Sequence, residues 1–148
     1  MRHTVLALAF LSIALGATSV HASDAMKAIV GSYLEIHAQL TADKIDGIKT
    51  PASAIASRAE TMGQSGAAMA KAAKAVGAAA DIKAAREAFG TLSDAVVAAA
   101  KAEGYKDLSD VKLAYCPMAQ KSWLQKGDQI QNPYYGQAMS SCGEFKKK

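Results

Sequence analysis

From Asp24 to Leu40 the residues Met26, Val30, Tyr33, His37 and Leu40 recur at alternating intervals of four and three, and only His37 in this series is polar. That spacing marks one stripe of a helix packed against others. A second stripe, Ile45, Ile48, Ala52, Ile55, Ala59 and Met62, keeps its phase through Pro51. It predicts one helix over 43–62, kinked at the proline; the alternative is a new helix opened by Thr50 as cap and Pro51 as first residue. The run Gly63 to Gly66 breaks the pattern. Residues 67–80 are helix-favouring alanines with only Met69 and Val76 as large apolar groups. Asp81 then caps a stronger helix with the stripe Ile82, Ala85, Phe89, Leu92, Val96 and Ala99, stopped at Gly104. Alanine at many stripe positions lets helix axes approach closely while burying little area, so a slender bundle is expected.

Beyond Gly104 the helical period stops. A turn is followed by an extended piece through Leu113 to Cys116, with Pro117 holding Cys116 out of helical geometry. The segments "SWLQ", "KGDQI" and "NPYYG" suggest a short hairpin or an irregular loop, and 137–142 a helical turn stopped by Gly143. Trp123, Leu124, Ile130, Tyr134 and Tyr135 carry too much apolar area to leave in water, so this segment should fold back on the helices. The expected fold class is therefore mainly α: a small bundle of three to four helices, residues 23–104, with an irregular C-terminal cap over 105–145 that has room for a short β-hairpin. Residues 146–148 are expected as a solvated basic tail.

Composition changes this picture in three ways. The start, MRHTVLALAFLSIALGATSVHA, has a basic beginning, an apolar run and small residues at Val20 and Ala22, the pattern of a signal peptide cleaved after residue 22. The run is shorter than the ~20 apolar residues of a spanning helix, so a periplasmic protein that does not span the membrane is expected. The formal net charge of +4 falls to +3 once Arg2 leaves, too mild for a dedicated nucleic-acid binder. Export also places Cys116 and Cys142 in an oxidising compartment, where a cysteine pair is by default a disulfide. For a loop of about 25 residues, bridging would stabilise the fold by roughly 3 to 4 kcal/mol on the loop-entropy model.

Residues 115–144 hold both cysteines, the single tryptophan, three of five tyrosines and two of three prolines. The strings "YCPMA", "WLQ", "NPYYG" and "CGE", with "AREAFGTLSDAV" at 85–96 and "YLEIHAQLTAD" at 33–43, resemble a domain family of formally unknown function. That family occurs as small exported proteins and as a carboxy-terminal extension of periplasmic adaptor subunits of copper and silver efflux pumps. The resemblance implies a helical bundle, an association with Cu(I) or Ag(I) handling, a heavy-metal efflux adaptor or other envelope protein as partner, and Cys116, Met118, Met139 and Cys142 as candidate ligands.

Two readings follow, the leading one a periplasmic Cu(I)- or Ag(I)-binding protein that serves as chaperone or sequestering accessory to heavy-metal efflux. Thiolate and thioether sulfurs suit Cu(I) or Ag(I). Cys116 with Met118 presents two sulfurs, Cys142 with Met139 two more, and His37 on the inward stripe of the first helix would complete a site if the cap docks over it. Alternatively the cysteines form a disulfide, leaving an interaction module without metal whose contact surface is Trp123, Tyr134 and Tyr135. Met26, Met62 and Met69 read as core filler. Enzyme signals are poor: there is no Ser/His/Asp arrangement, no glycine-rich phosphate loop after a strand, and no C-x-x-C spacing.

Overall fold

The computed structural model describes residues 19–148. The expected leader, residues 1–22, lies for the most part outside the described residues. Four helices follow one another: α1 (Ser19–Thr41), α2 (Lys49–Thr61), α3 (Ala67–Gly77) and α4 (Ile82–Ala102), with a single 3₁₀ turn at Gly63–Gly66 between α2 and α3. α2 packs on α1 and α3, and α4 on α3 and α1. Each stripe read from the sequence faces this core. Met26, Val30, Tyr33, His37 and Leu40 of α1 are buried, as are Ala52, Ile55 and Ala59 of α2, Met69 and Val76 of α3, and Ala85, Phe89, Leu92 and Val96 of α4. Each fully buried Ile, Leu, Val, Met or Phe side chain contributes on the order of 1.5–3 kcal/mol. Among the described residues no helix is long and apolar enough to cross a membrane.

The helix expected over 43–62 is shorter than its stripe. α2 opens at Lys49, and residues 42–48 are turns, with Asp43 in the left-handed region at φ 57°. Pro51 is the third residue of α2, inside the first turn, where a missing N–H breaks no intrahelical bond. The proline thus marks a helix start and not a kink, two residues from the Thr50–Pro51 opening the sequence allowed. At α4 the cap is as expected: the Asp81 carboxylate accepts from the Ala84 N–H at 2.8 Å. Asp81→Ala should therefore cost about 1 kcal/mol in a urea unfolding experiment, with no change in spectroscopic fold.

The cap departs further from expectation. It is a three-stranded antiparallel sheet in the order β2-β1-β3, with β1 Lys112–Cys116, β2 Lys121–Gln125 and β3 Glu144–Lys146. "SWLQ" pairs backwards onto "KLAYC", Ala114 opposite Trp123, and not forwards onto "NPYYG". The basic tail is partly structured: Lys146 lies opposite Leu113 in β3, and the Lys148 ammonium donates to the Leu108 carbonyl at 2.7 Å. β2 rests on α4, which brings the cap over the aromatic end of the bundle.

Candidate functional site

Cap and bundle meet on a chain of rings. Tyr33 stacks on Phe89 at 4.8 Å between centroids, Phe89 is tilted against Tyr134 at 6.1 Å, and Tyr134 meets Trp123 edge-on at 5.9 Å. Polar ends are satisfied inside this contact. The Tyr33 hydroxyl bonds to the Ser93 hydroxyl and accepts from the Leu124 N–H, and burial pushes its ionisation well above the usual phenol range. The Trp123 indole donates to Gln125 Oε1 at 2.9 Å. Trp123 is 0% exposed, which removes it from the expected contact surface: an indole needs burial and one acceptor, and it has both. Tyr134 and Tyr135 remain half-buried and line an open groove of about 480 Å³ between Ile82, Arg86 and Gly90 of α4 and the cap.

The "NPYYG" string is the organiser of the cap. Asn132, fully buried, accepts from the N–H groups of Tyr134 and Tyr135 through Oδ1 and donates through Nδ2 to the Cys142 carbonyl at 2.7 Å. The Pro133 carbonyl accepts from Arg86 Nε at 3.0 Å, and Arg86 Nη2 also reaches the Leu40 carbonyl at 3.1 Å and the Asp43 carboxylate. Gly136, at φ 54°, lies so close to the Asp43–Arg86 pair that a Cβ there would overlap both groups. One arginine therefore ties the end of α1, α4 and the cap together. Sequence reading missed this hub. Asp43 and Arg86 share no local pattern, and only the glycine closing "NPYYG" hinted at a close approach.

The sulfur residues are brought together only in part. Cys116 Sγ and Cys142 Sγ lie 2.9 Å apart. That exceeds the ~2.05 Å of an S–S bond. It falls short of the ~3.8 Å at which two ~2.3 Å metal–sulfur bonds at a tetrahedral angle would hold them. Cys116 is buried at the end of β1, and the Ala119 N–H points at its sulfur from 3.5 Å. Burial works to raise the Cys116 thiol, but hydrogen bonds from Cys142, from the Ala119 and Met118 amides and from Asn132 outweigh it and bring it below the usual thiol value. The Cys142 thiol is raised, chiefly by its bond to Cys116 and then by burial.

The other candidates differ in burial. Met118 and Met139 are exposed, at 62% and 36%. His37 is buried, and its Nε2–H donates to the Gln131 carbonyl at 2.8 Å, an anchor for the cap. Among the described residues no three of His, Cys, Asp and Glu are grouped to hold a metal ion, so His37 does not join Cys116 and Cys142. Of the five candidate ligands drawn from the sequence, His37 is the one that the docked cap engages with backbone.

Burial holds His37 down to about 4 from its ordinary 6.5, against the opposing pull of the Gln131 carbonyl. The folded protein thus keeps the ring neutral where the unfolded chain would protonate it. Its contribution is complete above pH 6.5 and is lost as pH falls through 4, a difference of about 3 kcal/mol. Urea unfolding at pH 7 and pH 3.5 should show wild type losing about that much more stability than His37→Gln, which keeps a donor but does not titrate. Equal losses would place the acid sensitivity elsewhere.

The chain belongs to the family described as "Protein of unknown function (DUF3347)", whose model matches residues 29–107. The match runs from α1 to just beyond α4 and stops before β1, so membership rests on the helices. No curated protein and no solved structure matches the chain.

Proposed function

We propose that the protein is an exported, non-catalytic accessory domain of the periplasm, stapled by a Cys116–Cys142 disulfide, that works by docking on another envelope protein. A heavy-metal efflux adaptor is the partner class the family resemblance implies. The observation that carries this reading is the 2.9 Å approach of the two sulfurs, on a cap otherwise closed by Asn132, Arg86 and His37. The docking surface is the groove walled by Tyr135, Tyr134 and Ile82. There Lys121 pairs with Asp94 and Arg86 with Asp43, Lys83 and Glu87 stand exposed beside them, and apolar and aromatic area is left for a partner. A photo-crosslinking residue at Tyr135 should capture one envelope protein in cells, whereas the same residue at Ser57, in the α2–α3 groove, should not. Equal capture at both positions would reject the assignment of the surface.

A second reading is favoured by one specific observation: two exposed methionines, Met118 and Met139, flank the thiol pair within three residues. In the reduced state Cys116 and Cys142 would take Cu(I) or Ag(I) as cargo, with the thioethers as additional soft donors. Titration of reduced protein with Cu(I) against a competing chelator tests it. Sub-micromolar binding weakened by Met118→Leu and Met139→Leu is expected on this reading; absence of binding, or binding unaffected by both changes, rejects it.

A further inference from the structure

The two sulfurs of the pair differ in access and in surroundings. Cys116 is 0% exposed beneath the turn of residues 117–120, while Cys142 is half-buried and follows a run of exposed residues, 137–141. The Ala119 N–H points at the Cys116 sulfur, and the Cys142 carbonyl is pinned by Asn132 Nδ2 at 2.7 Å, so Cys142 keeps its place as the partly exposed member of the pair. A thiol arriving from solution therefore reaches one sulfur of the pair and not the other.

We propose that Cys142 is a thiol–disulfide exchange site for a dithiol, with Cys116 as the leaving group. This rests on the disulfide reading above. A thiolate of the dithiol attacks Cys142 Sγ, forming a mixed disulfide. The Cys116–Cys142 bond breaks, and its electron pair departs with Cys116 Sγ, where the Ala119 N–H receives the charge. The second thiol of the dithiol loses its proton to solvent and attacks the sulfur of the first. The partner's own disulfide closes and Cys142 is expelled as a thiolate, which takes a proton. Cys116 and Cys142 are reduced and the dithiol is oxidised; the reverse sequence re-forms the staple from a disulfide of the same class. The Ala119 and Met118 amides and Asn132, which still face Cys116 Sγ when Cys142 is held in the mixed disulfide, favour its thiolate as the leaving group. Reduction removes the covalent link between the end of β1 and the approach to β3, while Asn132 still holds the Cys142 carbonyl.

The test uses the oxidised wild-type protein and glutathione as the probe. The intact mass is first measured without reductant. The protein is then mixed with excess glutathione, quenched in acid after short times and digested with trypsin, which places Cys116 (residues 113–121) and Cys142 (residues 127–146) on separate peptides. Glutathione is expected on Cys142 over Cys116 by about tenfold or more. An even distribution, or a preference for Cys116, overturns the exchange site while leaving the disulfide intact. An initial mass showing two free thiols overturns both the disulfide reading and the exchange site.

Discussion

Gly136→Ala is expected to destabilise the protein by about 4 kcal/mol, the largest single-residue effect anticipated here. Two costs combine. The backbone at Gly136 has φ 54°, which L side chains rarely adopt, and a Cβ would overlap the Asp43 carboxylate and the Arg86 guanidinium. The pair cannot simply swing away, because the Arg86 side chain is only 19% exposed and is held by the Pro133 and Leu40 carbonyls. Gly104→Ala supplies the control: its φ is 64° but nothing lies within 4 Å of the added methyl, so about 1 kcal/mol is expected. Urea unfolding of both variants separates backbone strain from the clash. In an Asp43→Ala background the cost of Gly136→Ala should fall, a coupling that a double-mutant cycle reads directly. Equal costs for Gly136→Ala and Gly104→Ala would mean that the arginine hub is not braced against the cap.

The second large effect follows from the sulfur pair. Reducing oxidised protein with a phosphine should lower its stability by about 3 to 4 kcal/mol and its melting temperature by roughly 10–20 °C. Cys142→Ser should melt at the lower temperature from the outset and be indifferent to the phosphine. A melting temperature unchanged by reduction would show that Asn132, Arg86 and His37 hold the cap without help from a staple.

Where structure is local, the sequence was legible. The stripe of α1 is buried throughout and that of α4 from Ala85 to Val96, with Ile82 and Ala99 partly buried, and the Asp81 cap needs only a carboxylate three residues before the amide it accepts from. The stripe through Pro51 misled because Ile48 is buried from a turn: the core accepts an apolar side chain whatever the backbone that delivers it. The hairpin was half seen. Extended character from Leu113 to Cys116 was recognised, but its partner was sought after "SWLQ" and not in it, although the turn of residues 117–120 separates two strands of equal length. The cap's inward fold followed from apolar area alone. The identity of its anchors did not, since Arg86, Asp43 and the Gln131 carbonyl carry no periodic or compositional mark. Of the candidate site, adjacency of the two cysteines was foreseeable; the engagement of His37 with backbone and the burial of Trp123 were not, because both depend on which face of the cap turns inward.

The contacts that seat the cap on the bundle span long stretches of chain: 91 positions separate Tyr33 from Leu124, and 94 separate His37 from Gln131. The α2–α3 and α3–α4 packings, by contrast, join neighbours in sequence. Loop-closure entropy favours early assembly of the helices and late arrival of the sheet. Newly made protein would thus pass through a stage in which the ring surface of Tyr33 and Phe89 stands uncovered, the surface that quality-control proteases and holdases would meet first.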